Sequence, residues 1–151
     1  MRRDVRSRVE QRHASVRAAA PTVQEQLFGA FGALADCTQW LEPAEDKERE
    51  HARRQRLSNA AVETLAYLAA ALSGSDGSVT SALDKIEQEL ARFAVHGEHG
   101  AVNPTTGESP AVDVSTALHA IRAALAATDA DEVSRYVIRA AASASLVAEI
   151  R

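Results

Sequence analysis

Two Glu-x-x-His sequences, Glu10-Gln-Arg-His13 and Glu48-Arg-Glu-His51, are the residues whose type and spacing best fit metal chemistry. On a helix, a carboxylate and an imidazole three residues apart can share a face. Two such helices, with one further Glu from each of two others, can hold a pair of iron ions. Glu63 and Glu87 are the nearest candidates for those further carboxylates. The angular positions discourage the arrangement. With Val9 as origin, His13 lies about 40° round the helix and Glu10 about 100°, so only His13 faces clearly inward. Glu48 and His51 fall within AEDKEREHARRQR, a run charged on all sides. A second half-site is His96 and His99, with Glu98, Glu108 and Asp113 close in sequence. Two His at that spacing suit zinc, yet no cysteine cluster completes the set.

Other chemistries find less support. Neither Gly74-Ser-Asp-Gly77 nor Asn103-Pro-Thr-Thr-Gly107 is a phosphate loop, which would follow a strand and carry a Lys. The segment VETLAYLAAAL contains Glu63 but no second acid one turn on. It therefore lacks the paired metal carboxylates of the all-α nucleotide pyrophosphohydrolases. No nucleophile elbow or serine triad can be read. The single cysteine, Cys37, reads as a small buried hydrophobe, excludes an internal disulfide and suits a reducing cytoplasm.

Charge is unevenly distributed along the 151 residues. Residues 1–20 hold six Arg (2, 3, 6, 8, 12 and 17) against Asp4 and Glu10, whereas the whole chain carries a net charge of −4. A basic helix on an acidic body is expected, docked through its apolar stripe. Arg2, Arg3, Arg6 and Arg12, together with Arg49, Arg53 and Arg54 further on, are the candidate interaction residues. A nucleic-acid arm is disfavoured, because no aromatic residues interleave the Arg and the overall charge is negative. No N-terminal targeting signal and no membrane span are expected. Fifteen Arg against two Lys, with abundant Ala, suit a GC-rich bacterial source.

The elements that would position these residues are all helical. Leu57, Ala61, Leu65, Leu68 and Leu72 mark one face of a helix, and Val62, Ala66 and Ala69 to Ala71 extend the apolar character round it. Such a helix wants neighbours on most sides and is expected at the centre of a bundle. The basic N-terminal helix spans about 4–20, with Val5, Val9, His13, Val16 and Ala20 inward. A helix over 23–41 opens on the capping box Thr22-Val-Gln-Glu25 and buries Leu27, Phe28, Phe31, Leu34, Thr38 and Leu41. Its Gly29 and Gly32 suggest a close helix approach. The central helix covers 44–73, its charged first half a solvated end, and is followed by a turn at 74–78. Helices over 79–94, 116–128 and 132–150 complete the set, with a long loop at 96–112. Leu118, Ile121 and Leu125 are the expected inner face of the fifth.

The expectation is thus an all-α, single-domain bundle of five to six helices. Without a convergent set of titratable groups, the leading function is non-enzymatic: a regulatory, accessory or immunity-type protein that meets a protein partner and no cofactor. Small-residue seams and the long charged helix add a two-fold homodimer. A metal-dependent helical enzyme or carrier, di-iron-like or zinc, is the competing reading.

Overall fold

A computed structural model describes residues 1–74, 78–96 and 110–150, with the backbone alone for 93–96. Among these residues there are six α-helices and no strand: α1 (Arg3–Ala19), α2 (Val23–Ala35), α3 (Lys47–Ser73), α4 (Val79–His96), α5 (Pro110–Ala126) and α6 (Ala130–Ala148). None of them is long and apolar enough to cross a membrane.

The centre is α3. Leu57, Ala61, Val62, Thr64, Leu65, Ala66, Leu68, Ala69 and Ala70 are all buried, a set that leaves little of the helix circumference open over this stretch. It packs against α1, α2, α4 and α6, while α5 closes the bundle on α6 and α2. The second half of α6 is enclosed in the same way, with residues 140–145 all buried. Alanine makes this possible: two helices whose contact faces are Ala can approach closely, and the Leu and Ile of their neighbours fill the seams.

The first helix is amphipathic, as its stripe requires: Val5, Val9, His13, Val16 and Ala20 are buried. It ends before Pro21, which cannot continue a helix. Cross-contacts run in one direction, from Arg8 with Asn59 through Arg12 with Glu63 to Arg17 with the Gly74 carbonyl, so α1 and α3 are parallel. At the start of α2, the Thr22 hydroxyl accepts from the Glu25 N–H (3.1 Å) and donates to the Glu25 carboxylate (2.9 Å). Gly29 lies against the ring of Tyr67 on α3, and Arg53 reaches the Trp40 carbonyl, so α2 and α3 are antiparallel.

Several boundaries differ from the sequence reading. The second helix ends at Ala35, and a 3₁₀ turn over Thr38–Trp40 carries the chain on. Three-residue hydrogen bonds, Cys37 N–H to the Leu34 carbonyl and Trp40 N–H to the Cys37 carbonyl, tighten the spiral there. The third helix begins at Lys47, where the Asp46 side chain caps the Glu48 N–H (2.8 Å). The fifth starts at Pro110, six residues early: proline is preorganised for the first helical position, and Asp113 in that first turn favours the helix dipole. Residues 110–112 therefore belong to a helix. The rest of the expected loop, 97–109, lies outside the described residues, as do residues 75–77 of the expected turn.

The charged start of α3 also departs from a purely solvated end. Arg53 is only 5% exposed. Its Nη1 donates to the Trp40 carbonyl (2.9 Å) and its Nε and Nη2 to the two oxygens of Glu50. This side chain ties α3 to the end of the 3₁₀ turn.

The two helix-two glycines make opposite demands. A Cβ on Gly29 would collide with the Tyr67 ring, whereas one on Gly32 would meet nothing within 4 Å. Gly32→Ala should stabilise the fold of the single chain by about 0.5–1 kcal/mol, the usual gain where a helix glycine has no neighbour within its own chain. Gly29→Ala should lose that gain or destabilise. Urea unfolding of both variants checks the pair, and equal stabilisation would contradict the close α2–α3 approach. By the same measurement Arg53→Met should cost about 1–3 kcal/mol, by orphaning the Trp40 and Leu41 carbonyls.

Candidate protein-binding face

The sequence-derived metal ligands are not brought together within the chain. His13 is buried and meets Ser73 through Nε2 (3.2 Å), at the C-terminal end of α3. His51 lies 22 positions earlier on the same helix, about 33 Å away at 1.5 Å per residue. Glu10 is exposed and accepts from Arg6, Glu48 is exposed, and Glu63 and Glu87 are paired with Arg12 and Arg6. Among the described residues no group of three His, Cys, Asp or Glu is placed to hold a metal. The His96 side chain and all of His99 lie outside them.

The candidate interaction arginines divide by what they touch. Arg2 pairs with Asp4, Arg6 with Glu10, Asp84 and Glu87, and Arg12 with both oxygens of Glu63. The pairs of Arg6 with Asp84 and Glu87 hold α1 on α4, that of Arg12 with Glu63 holds it on α3, and the Asp4 and Glu10 pairs are local. Arg53 is buried, as described above, and Arg54 shares Glu50 with it (3.0 Å). With two guanidiniums and the Ala44 N–H directed at it, the Glu50 carboxyl is held well below the usual carboxylate range. Arg3 and Arg49 are exposed and form no ion pair among the described residues.

A different surface emerges on α2 and α5. Three large apolar side chains are exposed among the described residues, Val23 (42%), Phe28 (59%) and Val112 (51%), and all three belong to these two helices. The sequence pattern places Phe28 and Phe31 inward; Phe31 is half-buried against the core, whereas Phe28 is exposed. The buried side of α2 is instead Gln26, Leu27, Ala30 and Leu34, leaving Phe28 outside. On α5 the buried positions are Val114, Ala117, Ala120, Ile121 and Ala124, while Leu118 and Leu125 are only half-buried. The Ala positions of α5 thus face the core beside Val114 and Ile121, while Leu118 and Leu125 lie towards the outer seam.

The seam has a defined shape. Arg122 lies over the Phe31 ring, 5.2 Å from its centroid, between Leu118 and Leu125 on the outer side of α5. Beside Val23, Leu27, Leu125 and Val133 there is a hollow of about 300 Å³. Beside Leu41, Val114, Leu118 and His119 there is another of about 250 Å³. His119 is oriented through Nδ1–H to the Ser115 carbonyl (2.8 Å). Among the described residues, Arg122 and His119 are the only titratable side chains lining either hollow. Gly32, one position on from Phe31, opens to space. Periodicity on α5 pointed to Leu118 and Leu125 as core; the signal that could have redirected it is the Ala117, Ala120, Ala124 stripe, which suits tight packing on an Ala-rich α6.

Elsewhere the reactive side chains are occupied. The Cys37 thiol donates to the Leu34 carbonyl (2.9 Å), and burial pushes its pKa up to about 11, which leaves it protonated and unreactive at neutral pH. No family model, no curated protein and no solved structure matches this chain.

His13 gives the fold a pH dependence. The Ser73 hydroxyl donates to the Ala69 carbonyl (2.6 Å), so it accepts from the His13 Nε2–H and selects the neutral tautomer. Burial, with Arg17 one turn on, lowers the imidazole pKa below its ordinary value. The unfolded chain therefore takes up this proton first as pH falls. The contribution is complete above about pH 6.5 and is lost on acidification below it. His13→Gln keeps a donor for Ser73 without titrating, and should flatten the decline of stability between pH 7 and 5. An unchanged slope would show that other groups set it.

Proposed function

We propose that this chain is a non-catalytic helical interaction protein, of regulatory or accessory type, that binds a protein partner through the outer face of α2 and α5. The observation that carries this reading is that all three exposed large apolar side chains among the described residues, Val23, Phe28 and Val112, belong to those two helices. Scattered apolar residues on a surface need no explanation, but exposed large apolar side chains on a helix pair that also carries two hollows with little charge have the composition of an interface core. An Arg stacked on an aromatic ring is a common anchor in such surfaces. The first partner to consider is a second copy, since Gly32 leaves room for a helix to approach closely across a two-fold axis. A reducing cytoplasm, in a bacterial cell, fits a chain whose single thiol is buried.

A photocrosslinking amino acid placed at position 28, and at the exposed position 11 on α1 as control, tests this in the expressing cell. The expected result is a discrete crosslinked species at 28 that is absent at 11. Its mass would distinguish a dimer of this chain from a different partner. No species at 28 above the control level would overturn the assignment of this face.

A further inference from the structure

Away from that face, α1 and α3 border a cleft of about 370 Å³. Arg8 stands on the α1 side; His51, Arg54 and Gln55 stand on the α3 side, and Ile150 supplies an apolar edge. The α3 residues at 51, 54, 55 and 58 are spaced to share one helix face. Within the size range of small-molecule sites, this volume is at the lower end.

Its charge is only partly neutralised by the fold. Arg2, Arg6 and Arg12 each meet a carboxylate, but Arg8 meets only neutral acceptors: Asn59 Oδ1 at 2.5 Å and Ser58 Oγ at 3.4 Å. Those contacts fix the guanidinium while leaving its full positive charge. Arg54 donates through Nε to a carboxylate, that of Glu50, which already holds Arg53 on two nitrogens. The Nη atoms of Arg54 and both ring nitrogens of His51 have no partner among the described residues. No carboxylate lines the cleft among the described residues; Ser58 donates to the Ala148 carbonyl at the end of α6 (2.8 Å), and Glu149 accepts from the Arg2 backbone N–H (2.7 Å).

We propose that this cleft binds a phosphate monoester. Two guanidiniums facing one space suit the tetrahedral, doubly charged group, because each fork can donate two parallel N–H bonds to its oxygens. His51 and the Gln55 amide add donors on the same wall, and the ester carbon skeleton lies against Ile150. The same chemistry is offered by a free phosphorylated metabolite and by a phosphorylated side chain of a protein.

Titration followed by the side-chain amide signals of Asn59 and Gln55 tests the site, with inorganic phosphate, adenosine monophosphate and a phosphoserine pentapeptide as probes. Saturable shifts at about millimolar phosphate are expected, beyond those from sodium chloride of matched ionic strength. Arg8→Gln and Arg54→Gln should each weaken binding at least tenfold. The Arg54 side chain is 45% exposed, so that variant folds even if the first is impaired. The ester that binds more tightly assigns the source, and either assignment supports the proposal. Shifts equal to those of chloride, or wild-type affinity in Arg54→Gln, would overturn it.

Discussion

The structure depends on the enclosure of α3. A helix buried on nearly every side between Leu57 and Ser73 must be surrounded, and α1, α2, α4 and α6 are the elements that surround it. The requirement shapes each neighbour differently. From α2 it demands Gly29, so that the Tyr67 ring has room. From α1 it takes a Val stripe with one histidine, whose polar atom is matched by Ser73. From α6 it takes alanines, which let two buried helices lie close together. Polar side chains within this enclosure are kept because they are hydrogen-bonded: Thr64, Ser73 and Ser145 each return a bond to the carbonyl four residues back.

The same constraint produces the outer face of α2 and α5. An Ala-rich α6 invites α5 to pack tightly, so Ala117, Ala120 and Ala124 go inward and Leu118 and Leu125 are displaced to the edge. On α2, burial of Leu27, Ala30 and Leu34 turns Phe28 away from the core. Large apolar side chains on a surface are thus a by-product of small-residue packing inside, and they supply the area that a partner would cover. Electrostatics then separates the two sides of the molecule. On α1, Arg6 meets acids on α4 and Arg12 meets Glu63 on α3, whereas the α2–α5 seam carries one guanidinium stacked on a ring.

Much of the fold was legible in the sequence. The spacing of Leu57, Ala61, Leu65 and Leu68 identified the central helix, and the stripe Val5, Val9, His13, Val16 identified the docked face of α1, because both are strong period-3.6 signals. The cap at Thr22 marked a helix start for the same local reasons that operate in the fold. What periodicity could not supply was the choice between two apolar faces on one helix. Leu118 and Leu125 look more like core than Ala117 and Ala124, and only the partner helix reverses that order. Long-range pairing was equally hidden: Arg53 reads as one charge among many until the Trp40 carbonyl is seen beside it. The two Glu-x-x-His sequences showed the converse, a correct local spacing on helices that place the two pairs far apart.

Native-state hydrogen exchange tests the central place of α3 most directly. Amides from Ala61 to Ala70 should exchange only through global unfolding, together with those of the enclosed half of α6. Those of α1, which is buried along a single stripe and held by exposed ion pairs, should open at lower free energy. Protection in α1 equal to that of α3, or faster exchange in α3 than in α5, would contradict the enclosure of α3 as the basis of the fold.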